Sequence, residues 1–295
     1  MKWARGGQEV GKRAQRRRRF QPMIGTMMYL TAVLLGLVAL YLVVVAGVGL
    51  LQHRLLYLPE RASVEALLAT GLQPWPSRDE VSGFVMQPSG AVRGTVIVFH
   101  GNAGHAGHRA HYGDALQRLG LRVILAEYPG YGSRDGALGE TSLVADAEAT
   151  IALAHRLHGA PVLVIGESLG AGVAARAAAA QRELIAGLML ITPWNRLEDV
   201  AAHHYPWLPV RWLLRDRYDS AAHLAAFERP VLVVVAEHDR VVPAERGLAL
   251  HEGLGGPKRL ALVAASGHSD WAVRVDAHWW REAIAFLVAT PAAPS

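Results

Sequence analysis

Hydrophobic and polar positions divide the chain into two regimes. Phe20 to His53 contains no Asp, Glu, Lys or Arg, and Met27 to Leu51 within it is apolar on every helical face. A helix of about 25 residues covers a hydrocarbon core ~30 Å thick. A buried helix of a soluble protein rarely stays apolar all round for so long, so residues 27–51 are expected to form a transmembrane helix. Tyr29 near one end, and His53, Arg54 and Tyr57 near the other, suit the membrane–water interface.

Beyond residue 80 the pattern turns to short apolar runs alternating with helical periodicity. Val96–Phe99, Val123–Ala126, Val162–Ile165, Leu184–Ile191, Val231–Val235 and Leu260–Val263 read as strands. His105–Leu119, Leu143–His158, the alanine-rich stretch from Leu169, and Trp271–Val288 read as helices. Strands apolar on both faces that alternate with helices imply a mostly parallel sheet covered on both sides. Residues 81–290 are expected to form one α/β domain. Residues 52–80 read as a connector, with a short capped helix over 63–69 and a turn-rich link at Gln73-Pro74-Trp75-Pro76.

Composition refines this picture. A chain of 295 residues, 52% hydrophobic, can bury one sizeable core and carry an appendage. It has no cysteine, which removes disulfides, a thiol nucleophile and cysteine metal sites. The net charge of +5 belongs to the N-terminus: Lys2, Arg5, Lys12, Arg13 and Arg16 to Arg19 stand there against Glu9 alone. The remainder is slightly acidic, and no nucleic-acid-binding domain is expected. Residues 1–26 then form a basic tail that the positive-inside rule keeps in the cytoplasm, leaving the folded domain on the outer side of the membrane. A cleaved signal peptide fits less well, because its apolar region is usually ~7–15 residues long.

The chemistry gathers at strand ends. Val162-Leu163-Val164-Ile165 runs directly into Gly166-Glu167-Ser168-Leu169-Gly170, and a helix begins at once. A serine on so tight a strand-to-helix turn is a nucleophile elbow, with Gly166 and Gly170 letting the chains pass. The turn lifts Oγ clear of the sheet and leaves the amide of Leu169 at a helix N-terminus, placed to bind an oxyanion. A serine hydroxyl needs a base, and the base an orienting acid. Asp239 lies in the loop after Val231–Val235, with Glu237 its close rival. Of 14 histidines, His268 follows the last strand in a loop relaxed by Gly267. A second oxyanion donor is expected from the loop after Val96–Phe99. There the amide of Asn102 is favoured over its side chain, Gly101 gives close approach, and His100 holds the loop. The role of Glu167 is open.

Four motifs then stand in order: HGNAG at 100–104, GESLG at 166–170, EHD at 237–239 and SGH at 266–268. Over 81–290 the chain resembles the α/β-hydrolase superfamily. With Tyr128-Pro129-Gly130-Tyr131-Gly132 and the N-terminal apolar helix, it resembles the membrane-anchored abhydrolase-domain serine hydrolases. The resemblance implies an α/β-hydrolase fold, a triad of Ser168, Asp239 and His268, and an oxyanion hole of Asn102 and Leu169. It also implies action on acyl esters or thioesters, often of lipids, without a metal or other cofactor.

Residues 194–229 interrupt the alternation as a small cap. Trp194, Tyr205 and Trp207 there either line an acyl pocket or anchor short helices to the core. His105, His108 and His111 lack an evident carboxylate or cysteine to complete a metal site. The expected function is hydrolysis of carboxylic esters, small-molecule or lipid, through an acyl-serine. The alternatives are an acyl-protein or acyl-thioester hydrolase and a non-catalytic membrane scaffold, the last disfavoured by an intact triad.

Overall fold

The computed structural model describes residues 6–289, with side chains from residue 25 onward. Residues 1–5 of the basic tail, residues 290–295 and the side chains of 6–24 lie outside the described residues. The chain divides into two compact units, Met1–Leu51 and Gln52–Ser295. The first is helical throughout its described part. Helix α1 runs Gly6–Leu56, and within it Gly25–Leu56 is long and apolar enough to cross a membrane.

The second unit is built on an eight-stranded sheet. In chain order its strands are β1 (Gln73–Pro76), β2 (Val81–Met86), β3 (Gly94–Phe99), β4 (Leu121–Ala126), β5 (Val162–Glu167), β6 (Gly187–Ile191), β7 (Val231–Ala236) and β8 (Lys258–Val263). Their spatial order is β8-β7-β6-β5-β3-β4-β2-β1. Pairing is parallel from β8 through β4 and antiparallel where β2 meets β4 and β1.

Side chains along a strand alternate faces, so a continuous apolar run serves two cores at once. Val231, Val233 and Val235 enter one cluster, whereas Leu232, Val234 and Ala236 enter the other. The remaining helices are α2 (Val64–Leu68), α3 (His111–Leu116), α4 (Glu140–His158), α5 (Leu169–Ala180), α6 (Leu197–His204), α7 (Val210–Leu213), α8 (Ser220–Leu224), α9 (Ala244–Gly253) and α10 (Ala277–Val288). The first cluster is roofed by α4, α5, α8 and α9, the second by α3 and α10.

Three local readings of the sequence change. The Gln73–Pro76 link is a strand, tolerated despite two prolines because it forms the sheet edge. Residues 52–80 are therefore part of the folded unit, with Tyr57, Leu67, Leu72 and Trp75 buried. The helix expected over 105–119 is broken into 3-10 turns at Ala106–Arg109 and Gln117–Leu119 around α3, where Gly107 and Gly113 weaken helix propensity. The C-terminal helix starts late. Trp271–Arg274 is a 3-10 turn, and Asp276 caps α10 by accepting from the Trp279 amide at 2.8 Å.

Partial burial holds the imidazole of His158 below its ordinary value of 6.5, and the same cause acts on His223. The unfolded chain binds protons at these sites before the folded chain does, so stability rises with pH across this interval. Thermal unfolding followed from about pH 7 down through 6.5 is expected to show a falling midpoint, with a shallower fall in His158→Gln.

Candidate active site

The elbow is made by close packing. A Cβ on Gly166 would overlap the Gly170 carbonyl and Ala171, and one on Gly170 would overlap the carbonyls of Phe99 and His100 at the end of β3. Helix α5 thus starts in contact with two strand ends, and Ser168 between them is forced to φ 54°, ψ −114°. For a residue with a Cβ this is a strained conformation, maintained because the surrounding packing over-determines it. The Ser168 amide is itself fixed, donating to the Ile191 carbonyl of β6 at 2.9 Å.

Two loops at the carboxyl ends of neighbouring strands bring the polar partners. After β7, Asp239 Oδ1 accepts from the amides of Val241 and Val242, each at 2.8 Å. That turn aims Oδ2 at His268 Nδ1, 2.7 Å away. After β8, His268 Nε2 lies 3.0 Å from Ser168 Oγ. The Asp239 carboxylate is only 1% exposed and the imidazole 18%, so the pair sits in a weakly screened environment open on the serine side. Glu237 does not compete for the imidazole: it accepts from the Ala265 amide at 2.7 Å and braces the loop that carries His268.

The HGNAG loop packs against the serine. The position of a Cβ on Gly101 would be 3.6 Å from Ser168 Cβ. Asn102 is occupied at both ends. Its side-chain amide donates to the Leu56 carbonyl at 3.0 Å, and its own carbonyl accepts from the Leu58 amide at 3.0 Å and the Tyr131 hydroxyl at 2.8 Å. The Asn102 side chain is thus committed to structure. The Leu169 amide belongs to the first turn of α5, where N–H groups have no partner within the helix.

Below this loop lies a buried pair that the sequence does not announce. His100 is 0% exposed, its Nδ1 is 2.8 Å from the Gly101 carbonyl, and its Nε2 is 3.2 Å from Glu127 Oε1. Glu127, also 0% exposed, follows β4 and further accepts from the Ala106 amide at 3.1 Å. Both ring nitrogens of His100 face oxygen atoms, so the ring is held at its two ends. Rings of Tyr128 and Tyr131 enclose the imidazole at 4.4 and 5.2 Å.

Glu167 is held from the other side. Arg109 grips it at two points, 2.8 and 3.2 Å, and the buried Tyr112 hydroxyl donates to it at 3.0 Å. Burial pushes the Tyr112 phenol well above its usual value, so it remains a donor. A cleft of about 620 Å³ borders this group, lined by Arg109, Glu167, Ser269, Trp271, Val273 and Trp280 among others. Glu167 and Ser269 are the sequence neighbours of Ser168 and His268, but neither the serine nor the imidazole lines this cleft, whose wall also carries His108, His111, Asp114, Arg118 and Asp276.

The cap aromatics are arranged differently from a shared acyl pocket. Trp194 is buried and its Nε1 donates to the Tyr218 carbonyl at 3.1 Å, anchoring the cap to the core. Tyr205 and Trp207 are 52% and 53% exposed. Among the histidines considered for a metal, His105 and His108 stack at 3.8 Å and His111 lies against Tyr112. Glu60, distant in sequence, brings a carboxylate within 4.8 Å of the first two. His105 Nδ1, however, accepts from the Gly107 amide at 3.1 Å, which places that neutral ring's proton on Nε2.

The profile of the family described as "Serine aminopeptidase, S33" matches residues 90–218. "Uncharacterized protein Rv2307c" of Mycobacterium tuberculosis (strain ATCC 25618 / H37Rv) is 37% identical over 253 residues, covering 80% of this chain and 88% of the relative. "Lysophosphatidylserine lipase ABHD12" of Danio rerio is 30% identical over 176 residues, covering 53% of this chain and 46% of that protein. Among solved structures, Est1E from Butyrivibrio proteoclasticus with bound ferulic acid superposes with a TM-score of 0.59 at 18% identity, covering 70% of this chain and 95% of its own.

Glu127→Ala leaves His100 Nε2 and the Ala106 amide without an acceptor in the interior. Denaturant unfolding in detergent is expected to show a loss of about 1–3 kcal/mol for each group left unpaired. Glu127→Gln, which keeps one acceptor oxygen, is expected to lose less.

Proposed function

This chain belongs to the α/β-hydrolase family, in its abhydrolase-domain group, and from that premise we propose a membrane-anchored serine hydrolase that cleaves carboxylic esters of lipids. The observation that carries the reading is the unbroken line from Ser168 Oγ through His268 to Asp239, at 3.0 and 2.7 Å. The esterase and lipase names of the relatives and of the matching structures support the ester class.

In this reading His268 Nε2 takes the Ser168 proton as Oγ attacks the acyl carbon. Asp239 keeps the other imidazole proton on Nδ1 and stabilises the imidazolium that forms. The amides of Leu169 and Asn102 donate to the oxyanion, in a position where such donors are each worth roughly 3–4 kcal/mol. Nε2 then returns the proton to the departing alcohol. Water, activated by the same nitrogen, releases the acid and restores Ser168. The apolar helix Gly25–Leu56 is the anchor. The arginine-rich tail keeps the N-terminus in the cytoplasm and the hydrolase on the outer side.

A fluorophosphonate probe is expected to label the wild type and not Ser168→Ala; labelling that survives the substitution places the nucleophile elsewhere. In right-side-out membrane vesicles an impermeant form of the probe is expected to reach Ser168. Asp239→Asn is expected to lower kcat by ~10⁴-fold on a long-chain monoester while leaving the melting temperature nearly unchanged. A panel of esters and thioesters of graded chain length, in mixed micelles, is expected to favour the longer esters.

A further inference from the structure

The apolar run ends at Leu51, and the next residue is tied to the cap. Gln52 donates through Nε2 to the Leu213 carbonyl at 3.0 Å and accepts through Oε1 from the Arg215 amide at 2.8 Å. Five residues on, the buried Tyr57 donates to Asp216 Oδ2 at 2.7 Å and lies 2.9 Å from the Tyr218 hydroxyl. Asp216 Oδ1 in turn accepts from the Glu140 amide at 3.1 Å, and Glu140 accepts from the amides of Arg217 and Tyr218. The segment 213–218 is therefore bonded, through buried groups, to the residues that immediately follow the apolar run.

Next to that joint the cap presents large side chains outward. Trp212 is 87% exposed, Trp207 53% and Tyr205 52%, and Leu55 in the last turn of α1 is 61% exposed. Arg54, Arg211 and Arg215 are exposed among them. In water, two exposed tryptophans on one short cap carry an unfavourable hydration cost with no return. At a membrane–water interface the same set fits: indole and phenol rings sit at headgroup level, and arginines meet lipid phosphates. Distance supports this. Trp212 is one residue from Leu213, and Gln52 one residue from the end of the apolar run, with consecutive Cα atoms ~3.8 Å apart. The joint leaves the patch no freedom to lie far from the place where the chain leaves the hydrocarbon.

We propose that the face of the cap formed by Tyr205, Trp207, Trp212, Arg211 and Arg215 seats in the headgroup layer of a bilayer containing anionic phospholipid. The inference rests on the membrane-anchored reading given above and extends it. The cap, and not the apolar helix alone, sets the height and tilt of the hydrolase. A lipid ester then reaches Ser168 along the bilayer surface without first crossing open water.

The absence of cysteine makes the test direct. Single-cysteine variants Trp212→Cys, Trp207→Cys, Val38→Cys and Val92→Cys of the full chain carry a nitroxide in vesicles of phosphatidylcholine, with and without phosphatidylglycerol. Val38 lies in the apolar run. Val92 precedes β3, at the opposite end of that strand from the HGNAG loop. Collision with oxygen and with a water-soluble nickel chelate reports depth. Labels at 212 and 207 are expected to show several-fold lower nickel accessibility than the label at 92, and the label at 38 lower still. Phosphatidylglycerol is expected to lower accessibility at 212 further, an effect lost in Arg211→Gln/Arg215→Gln. If 212 and 207 match 92 while 38 reads deep, the seating is refuted and the anchor stands. If 38 also reads aqueous, the anchor itself is refuted. A label at 212 that is shielded but indifferent to lipid charge overturns the role given to anionic phospholipid.

Discussion

Everything at the site depends on one steric constraint: α5 begins where there is no room for a side chain at either Gly166 or Gly170. The helix is driven against the ends of β3 and β5, and the residue between the glycines takes the resulting strain. Ser168 is therefore placed by the sheet, not by its own preferences. Its hydroxyl stands within hydrogen-bond reach of the His268 imidazole carried by a later loop. Relaxing that contact would displace Ser168 and the first turn of α5 together.

The constraint works because the HGNAG loop cannot yield. His100 and Glu127 bond beneath it within a shell of tyrosine rings, so the carbonyls that press on α5 are backed by a buried hydrogen-bonded pair. Buried polar groups are costly to leave unpaired, and that cost keeps the loop in one geometry. Arg109 and Tyr112 play the same part for Glu167. The Asn102 side chain extends the bracing to Leu56, so one loop touches the elbow on one side and the end of the long N-terminal helix on the other.

What could be read from the sequence was local. Each continuous apolar run became a parallel strand, all but the last serving both cores; on β8 Leu260 and Leu262 face solvent. Ser168, Asp239 and His268 stood out as candidates because each lies in a loop or turn that follows such a run. Glu127 also follows a strand, but an acid there has no signature until His100, 27 residues away, is folded beside it. Asp216 and Tyr57 are 159 residues apart. Edge strand β1 was hidden by its prolines, and the break before α10 by a capping aspartate inside an apparently periodic stretch. Trp194 and Trp207 looked alike in sequence; only packing separates a ring turned into the core from one turned outward.

The two ends of the sheet carry a further consequence. Strand β1 has no amide hydrogens at Pro74 and Pro76, and β8 is edged by Lys258 and Arg259, the latter lying over Phe286 at 5.0 Å. An open sheet edge is a template for any other chain that can supply a strand. Missing donors at one edge and charge at the other leave this hydrolase a poor template for edge-to-edge pairing with its own copies.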